Sequence, residues 1–184
     1  MARLVAFLGS INVGGNRIKM VDLVAALTDA GFRDVSTVAA SGNVILTDER
    51  DPAMLEIQLE STVQQRFGFK SCAMIRDRAE IRAAITENPF HGTEPHHGSD
   101  KMVHSIFLSQ QPDAAAVEAL IEEHAAKGSE RLALGNRVLF LDYVDGVGVS
   151  DLSNKVLERR LRCRGTARNM TSLKRILAKM EETA

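Results

Sequence analysis

The feature that most constrains this chain is the order in which two hydrophobic periods alternate along its first half. Arg3 to Gly9 is a short apolar run with the period of a strand. Lys19 to Ala30 carries Met20, Leu23, Val24 and Leu27 at helical spacing before Gly31 stops it. Asp34 to Ala39 and Asn43 to Thr47 are β-branched runs flanking Ser41-Gly42, a hairpin signal. Pro52 opens a second helix with Met54, Leu55, Leu59 and Val63 along one face, and Gly68 closes it before a strand over Phe69 to Ile75. A βαββαβ order of this length folds most simply into a four-stranded antiparallel sheet with both helices on one face, the ferredoxin-like arrangement of the α+β class.

The pattern then restarts. A short helix over Arg78 to Thr86 leads into 88–100, where two prolines, two glycines and three histidines mark a linker. Beyond it come a strand over Met102 to Leu108, a helix over Pro112 to Ala126, and a hairpin formed by Arg131 to Leu134 and Arg137 to Tyr143. Helices over Ser153 to Leu161 and Thr171 to Glu181 follow. The expected organisation is a ferredoxin-like subdomain at 1–87, a linker at 88–100, and a second, related βαββ-helical subdomain at 101–184. Leu134 to Leu139, LGNRVL, echoes Ser41 to Leu46, SGNVIL.

Bulk properties narrow the class. The 184 residues carry no apolar run of membrane-spanning length, and MARLVAFLGS breaks into Gly and Ser too early for a signal peptide, so the expected location is the cytoplasm. Cys72 and Cys163 are too few for a disulfide framework; both are expected to be reduced and to pack inward. The net charge of -1 conceals a basic C-terminal stretch, Lys155 to Lys179, holding nine cations and one acid, Glu158. Such a stretch suits a nucleic-acid or acidic protein partner, although 4% aromatic content leaves few bases to be stacked.

The loop Gly9 to Met20, GSINVGGNRIKM, is where a binding site is expected. In the inferred sheet it lies beside the Ser41-Gly42-Asn43 turn. Gly14 and Gly15 can turn backbone amides outward, Asn12 and Asn43 offer amide donors, and Lys19 adds a charge at a helix N-terminus. The combination suits a phosphorylated or carboxylated ligand. The loop lacks the Lys-Ser/Thr ending of a Walker A motif and the G-x-G-x-x-G of dinucleotide binding. His91, His96, His97 and His104 sit in and beside the linker without the ordered spacing of a zinc site, so no metal and no cofactor is expected. No catalytic constellation can be assembled, and the sequence leaves oligomeric state open.

Five motifs occur in order: INVGG-x₃-KM-x₂-L at Ile11 to Leu23, SGNV at Ser41 to Val44, NPF at Asn88 to Phe90, S-x-L-x-N at Ser150 to Asn154, and T-x-R-N at Thr166 to Asn169. Together they resemble the DUF1697 family of bacterial proteins over essentially the whole chain. The resemblance implies an α+β fold with ferredoxin-like elements and no assigned activity. It adds Asn154, Arg168 and Asn169 as candidate ligand contacts from the C-terminal segment. Three positions depart from the family pattern: Gly9 stands for an arginine, Asp151 for a lysine and Met170 for a tryptophan.

Overall fold

The computed structural model describes residues 2–182. The chain divides into two compact units, the first running to Ile81 and including the chain from Arg175 onward, the second running from Arg82 to Lys174.

In the first unit β1 (Ala2–Leu8), α1 (Met20–Asp29), β2 (Arg33–Val38), β3 (Asn43–Asp48), α2 (Pro52–Phe67) and β4 (Ala73–Asp77) follow the anticipated order. The sheet order is β2-β3-β1-β4 with every pair antiparallel, which is the ferredoxin-like topology. Leu4, Ala6 and Leu8 alternate on one face of β1 and pack with Leu23 and Leu27 of α1 and Leu55, Leu59 and Val63 of α2. The start of α2 is set by Asp51, whose carboxylate accepts from Ala53 N at 2.9 Å. Its end is set by Gly68 at φ 77°, the left-handed conformation that closes helices at low steric cost. The last strand begins at Ala73, where pairing with Leu8 starts, and not at Phe69, which packs as part of the connection.

The helix α3 (Arg78–Thr86) leaves β4 without a loop. Next come β5 (Val103–Leu108), α4 (Ala114–Ala125), β6 (Arg131–Leu134), β7 (Val138–Asp142), α5 (Asn154–Leu161), β8 (Gly165–Asn169) and α6 (Met170–Glu181). The second sheet has the order β6-β7-β5-β8, again all antiparallel. The second half is therefore a complete βαββαβ repeat, where the sequence suggested βαββ followed by helices. The missing strand is β8. Its GTARN sequence has no apolar alternation, yet Thr166 and Arg168 are buried against β5.

The two repeats share devices that no motif search would align. On the outer edge of β4, Glu60 Oε1 accepts from Ala73 N at 3.0 Å and Glu56 Oε1 from Ile75 N at 2.8 Å. On the edge of β8, Glu158 Oε1 accepts from Gly165 N at 3.1 Å. A helix carboxylate thus covers amides that an edge strand would otherwise present to another chain. Arg76 and Arg168 occupy the same place in β4 and β8, opposite Val5 and Ser105, and each donates Nη1 to the preceding carbonyl. Asp77 and Asn169 then cap the next helix, accepting from Glu80 N at 2.8 Å and Ser172 N at 2.9 Å.

Strand register also corrects the echo read from sequence. Phe7 pairs with Asn43 and Phe107 with Val138, so Asn43 corresponds to Val138 and Gly42 to Arg137. SGNVIL and LGNRVL are offset by two residues from true equivalence. An offset of two keeps every side chain on the same face, which is why the hydrophobic pattern alone did not reveal it.

Candidate functional site

In the first unit the loop after β1 and the β2–β3 turn do meet. Leu8 N donates to Gly42 O at 2.8 Å, and Gly9 N donates to Cys72 O at 2.8 Å. Asn12, at φ 56°, locks the arrangement: its Nδ2 donates to Ala40 O at 2.8 Å and Ile18 O at 3.2 Å, while its Oδ1 accepts from Ile18 N at 2.9 Å. Asn16 Nδ2 donates to Ser10 O at 3.0 Å and Arg17 Nη1 to Asn12 O at 3.1 Å. Asn43 is buried, with Nδ2 donating to Val38 O at 2.9 Å and Ser41 Oγ at 3.0 Å. Both asparagines read from sequence as ligand donors thus brace the loop and the turn with their side-chain amides.

What this bracing exposes is the tip. Gly14 and Gly15 have φ 60° and 98° with no other group near where a side chain would sit. Lys19 is exposed at the N-cap position of α1, and its side chain does not cap the helix. Met20 N and Val21 N therefore head α1 without the side-chain acceptor that a Ser, Asp or Asn cap would supply. Ser41 is exposed, whereas Gly42 is buried beneath the loop: a Cβ there would stand 2.8 Å from both Leu8 O and Ile11 Cγ1.

Gly9 has a local explanation too. A side chain at this position would run into Cys72 Sγ, so the departure from arginine goes with a cysteine beside it. Asn154, Arg168 and Asn169 belong to the second unit. Asn154 is exposed in the first turn of α5; Arg168 is buried and donates to Thr166 Oγ1 at 2.7 Å; Asn169 caps α6. Met170, the third departure, is fully buried.

The other sequence features resolve into local contacts. Three cations of the basic C-terminal stretch are paired with carboxylates: Arg160 with Glu123 at 2.5 Å, Lys174 with Asp100 at 2.8 Å and Lys179 with Glu182 at 2.5 Å. The apolar stripe of α6 is covered, with Leu173, Ile176 and Met180 buried. His91 bonds Asp100 at 2.8 Å, His97 accepts from Glu94 N, and His104 stands edge-on to Tyr143. Lys174 and His91 hold the Asp100 carboxyl below its usual range, despite some upward push from burial. Cys163 packs in the second core, and burial raises its thiol pKa, which disfavours the nucleophilic thiolate. Cys72 is only half-buried, so it is less a core residue than its strand-like surroundings suggested.

No sequence signal marks a further cluster in the second unit. His124 Nε2 and Glu130 Oε2 lie 2.6 Å apart, and both side chains are largely buried. Burial pushes the Glu130 carboxyl up, but hydrogen bonds from Ser150 and His124 outweigh it and hold the carboxyl below its ordinary range. Ser150 belongs to the S-x-L-x-N motif, but His124 and Glu130 fall outside every motif, leaving no signal to collect them.

The sequence pattern of the DUF1697 family, described as a protein of unknown function, matches residues 1–140. The loop and turn of the first unit lie inside that match; the motifs at Ser150 to Asn169 lie beyond it. A solved structure of a conserved bacterial protein from Streptococcus pneumoniae is similar over 99% of both chains, at 22% sequence identity and a TM-score of 0.74. That likeness concerns the fold. No curated protein matches the chain. Among the described residues no helix is long and apolar enough to cross a membrane.

Proposed function

This chain belongs to the DUF1697 family, and we propose that the β1–α1 loop of its first unit binds a small anionic ligand, phosphorylated or carboxylated. The observation that carries this reading is the Asn12 clamp. By bonding Ile18 and Ala40 at once, Asn12 fixes the base of the loop that carries the exposed Gly14 and Gly15 and runs on into α1. Backbone amides at a helix start, the positive end of the helix dipole and the exposed Lys19 then favour negative charge together. Ser41 supplies a hydroxyl from the neighbouring turn. Anchored donors need less reorganisation on binding than a mobile loop would.

Recognition then rests on backbone amides, one lysine and one hydroxyl, which ask for charge and small size and make little demand on the remainder of the ligand. The test is a melting-temperature series with inorganic phosphate, sugar phosphates, nucleotides and organic acids. At a ligand concentration near 100 times Kd the expected stabilisation is about 2.7 kcal/mol, a shift of several degrees. Lys19→Ala should remove most of that shift without changing the melting point of the free protein. An unchanged melting point across the panel contradicts the proposal.

A further inference from the structure

A cleft of about 580 Å³ lies wholly within the second unit, and it owes nothing to the loop site. Its volume is in the range of pockets that hold small molecules. Its apolar lining is Leu120, Val149, Leu152 and Val156. Its charged lining falls into two groups by their hydrogen bonds, and these are taken as its walls: Glu123 with Lys127 and Arg160, and Asp145 and Glu130 with Ser129 and Ser150. The end of α4, the residues just after it and α5 bring Lys127, Arg159 and Arg160 with one carboxylate, Glu123. The turn after α4 and the loop 145–152 bring Glu130, Asp145 and Asp151.

Each wall is tied together in a way that leaves charge to spare. Glu123 bridges α4 and α5 by bonding Arg160 at 2.5 Å and Lys127 at 3.0 Å, and those two bonds hold its pKa down at about 2. One carboxylate thus serves two cations, while Arg159, exposed beside them, has no side-chain partner among the described residues. Across the cleft Ser129 Oγ donates to Asp145 and Ser150 to Glu130, fastening the turn to the loop through neutral hydroxyls. These bonds leave the negative charge of Asp145 uncompensated, and Asp151 has no side-chain partner among the described residues. Only His124 faces an acid on this wall, Glu130. The lysine that the family pattern carries at position 151 would reduce this negative wall.

We infer that this cleft binds a small zwitterion of the amino-acid type, its carboxylate toward Arg159 and Arg160, its ammonium toward Asp145 and Asp151, and its apolar side chain on Leu120, Leu152 and Val156. A simple anion would meet four carboxylates in the lining, and a simple cation would meet three basic groups. A molecule carrying both charges a few ångströms apart satisfies each wall.

The test uses the full chain with leucine, 4-methylpentanoate and isoamylamine, which share an alkyl group and differ in charge. Methyl NMR of Leu120, Leu152 and Val156 reports binding in this cleft alone, separately from the first-unit loop. Leucine should produce saturable shifts, with each singly charged analogue about tenfold weaker or more. Arg159→Ala should weaken leucine and the acid but not the amine; Asp145→Asn with Asp151→Asn should weaken leucine and the amine but not the acid. The inference is overturned if none of the three moves these methyls, if the acid or the amine binds as well as leucine, or if leucine binding survives both sets of substitutions. Unchanged amide spectra elsewhere in each variant would confirm that it is folded.

Discussion

The two repeats share one topology and differ at one end of their sheets. In the first, eleven residues separate β1 from α1; in the second, five separate β5 from α4. The shared frame is close: Leu8 N donates to Gly42 O and Leu108 N to Arg137 O, while Gly9 N donates to Cys72 O and Ser109 N to Arg164 O. Even the clamp has a counterpart, since Gln111 Nε2 donates to Gly135 O at 3.3 Å and its Oε1 accepts from Arg137 N at 2.6 Å. The second repeat thus closes its sheet end with a short loop and an amide brace. The first adds a projecting Val13-Gly14-Gly15 tip that closure does not require. The comparison teaches that the extra chain is an elaboration on a frame already sufficient to fold, and elaborated loops on rigid frames are where binding is most often carried.

The largest expected effect separates Gly42 from Arg137, which occupy equivalent places with φ 76° and 51°. Gly42→Ala should lower stability by about 2–4 kcal/mol by denaturant melting, because the new methyl meets the Leu8 carbonyl and Ile11 in an already left-handed residue. Arg137→Gly should shift stability by less than about 1 kcal/mol, since relief of left-handed strain offsets added freedom in the unfolded chain. Equal effects at the two positions would contradict this contrast.

The next effect separates the clamps. Asn12→Ala removes three hydrogen bonds and should cost about 2–3 kcal/mol, together with loss of hydrogen-exchange protection at Ile18. Gln111→Ala removes two exposed bonds and should cost about 1 kcal/mol. If Asn12→Ala changes neither stability nor exchange at Ile18, the clamp is not what holds the loop.

The smallest effect should be common to both repeats. Glu60→Ala and Glu158→Ala each uncover an edge amide, at Ala73 and Gly165, and should each cost about 1 kcal/mol. Faster exchange at the uncovered amide is the direct readout. A cost confined to one repeat would mean that the two edges are protected differently.

The first repeat was legible because its turns are punctuated: Gly31, Ser41-Gly42, Pro52 and Gly68 stand where the chain must stop or reverse. The last strand of the second was hidden because Arg168, a long cation, breaks the apolar alternation that marks a strand, and yet is buried. Two weak signals pointed to it. Arg168-Asn169 repeats Arg76-Asp77, and Glu158, the lone acid of the basic stretch, is the edge cap. The meeting of the loop with the Ser41-Gly42 turn followed from topology alone. The roles of Asn12 and Asn43 did not, since an asparagine that braces a loop and one that donates to a ligand have the same sequence signature. The cleft walls were illegible because they assemble from α4, the turn 128–130, the loop 145–152 and α5, segments that no local pattern relates.

The account turns on whether the projecting tip of the first repeat receives an anion. Titrating inorganic phosphate into ¹⁵N-labelled full-length protein tests this most directly. The amides of Gly14, Gly15, Met20 and Val21 should shift saturably, far more than those of Ser109 to Asp113 in the shorter loop, and Lys19→Ala should weaken the response. Shifts that grow linearly without saturation, or that are as large in the second repeat's loop, would contradict it.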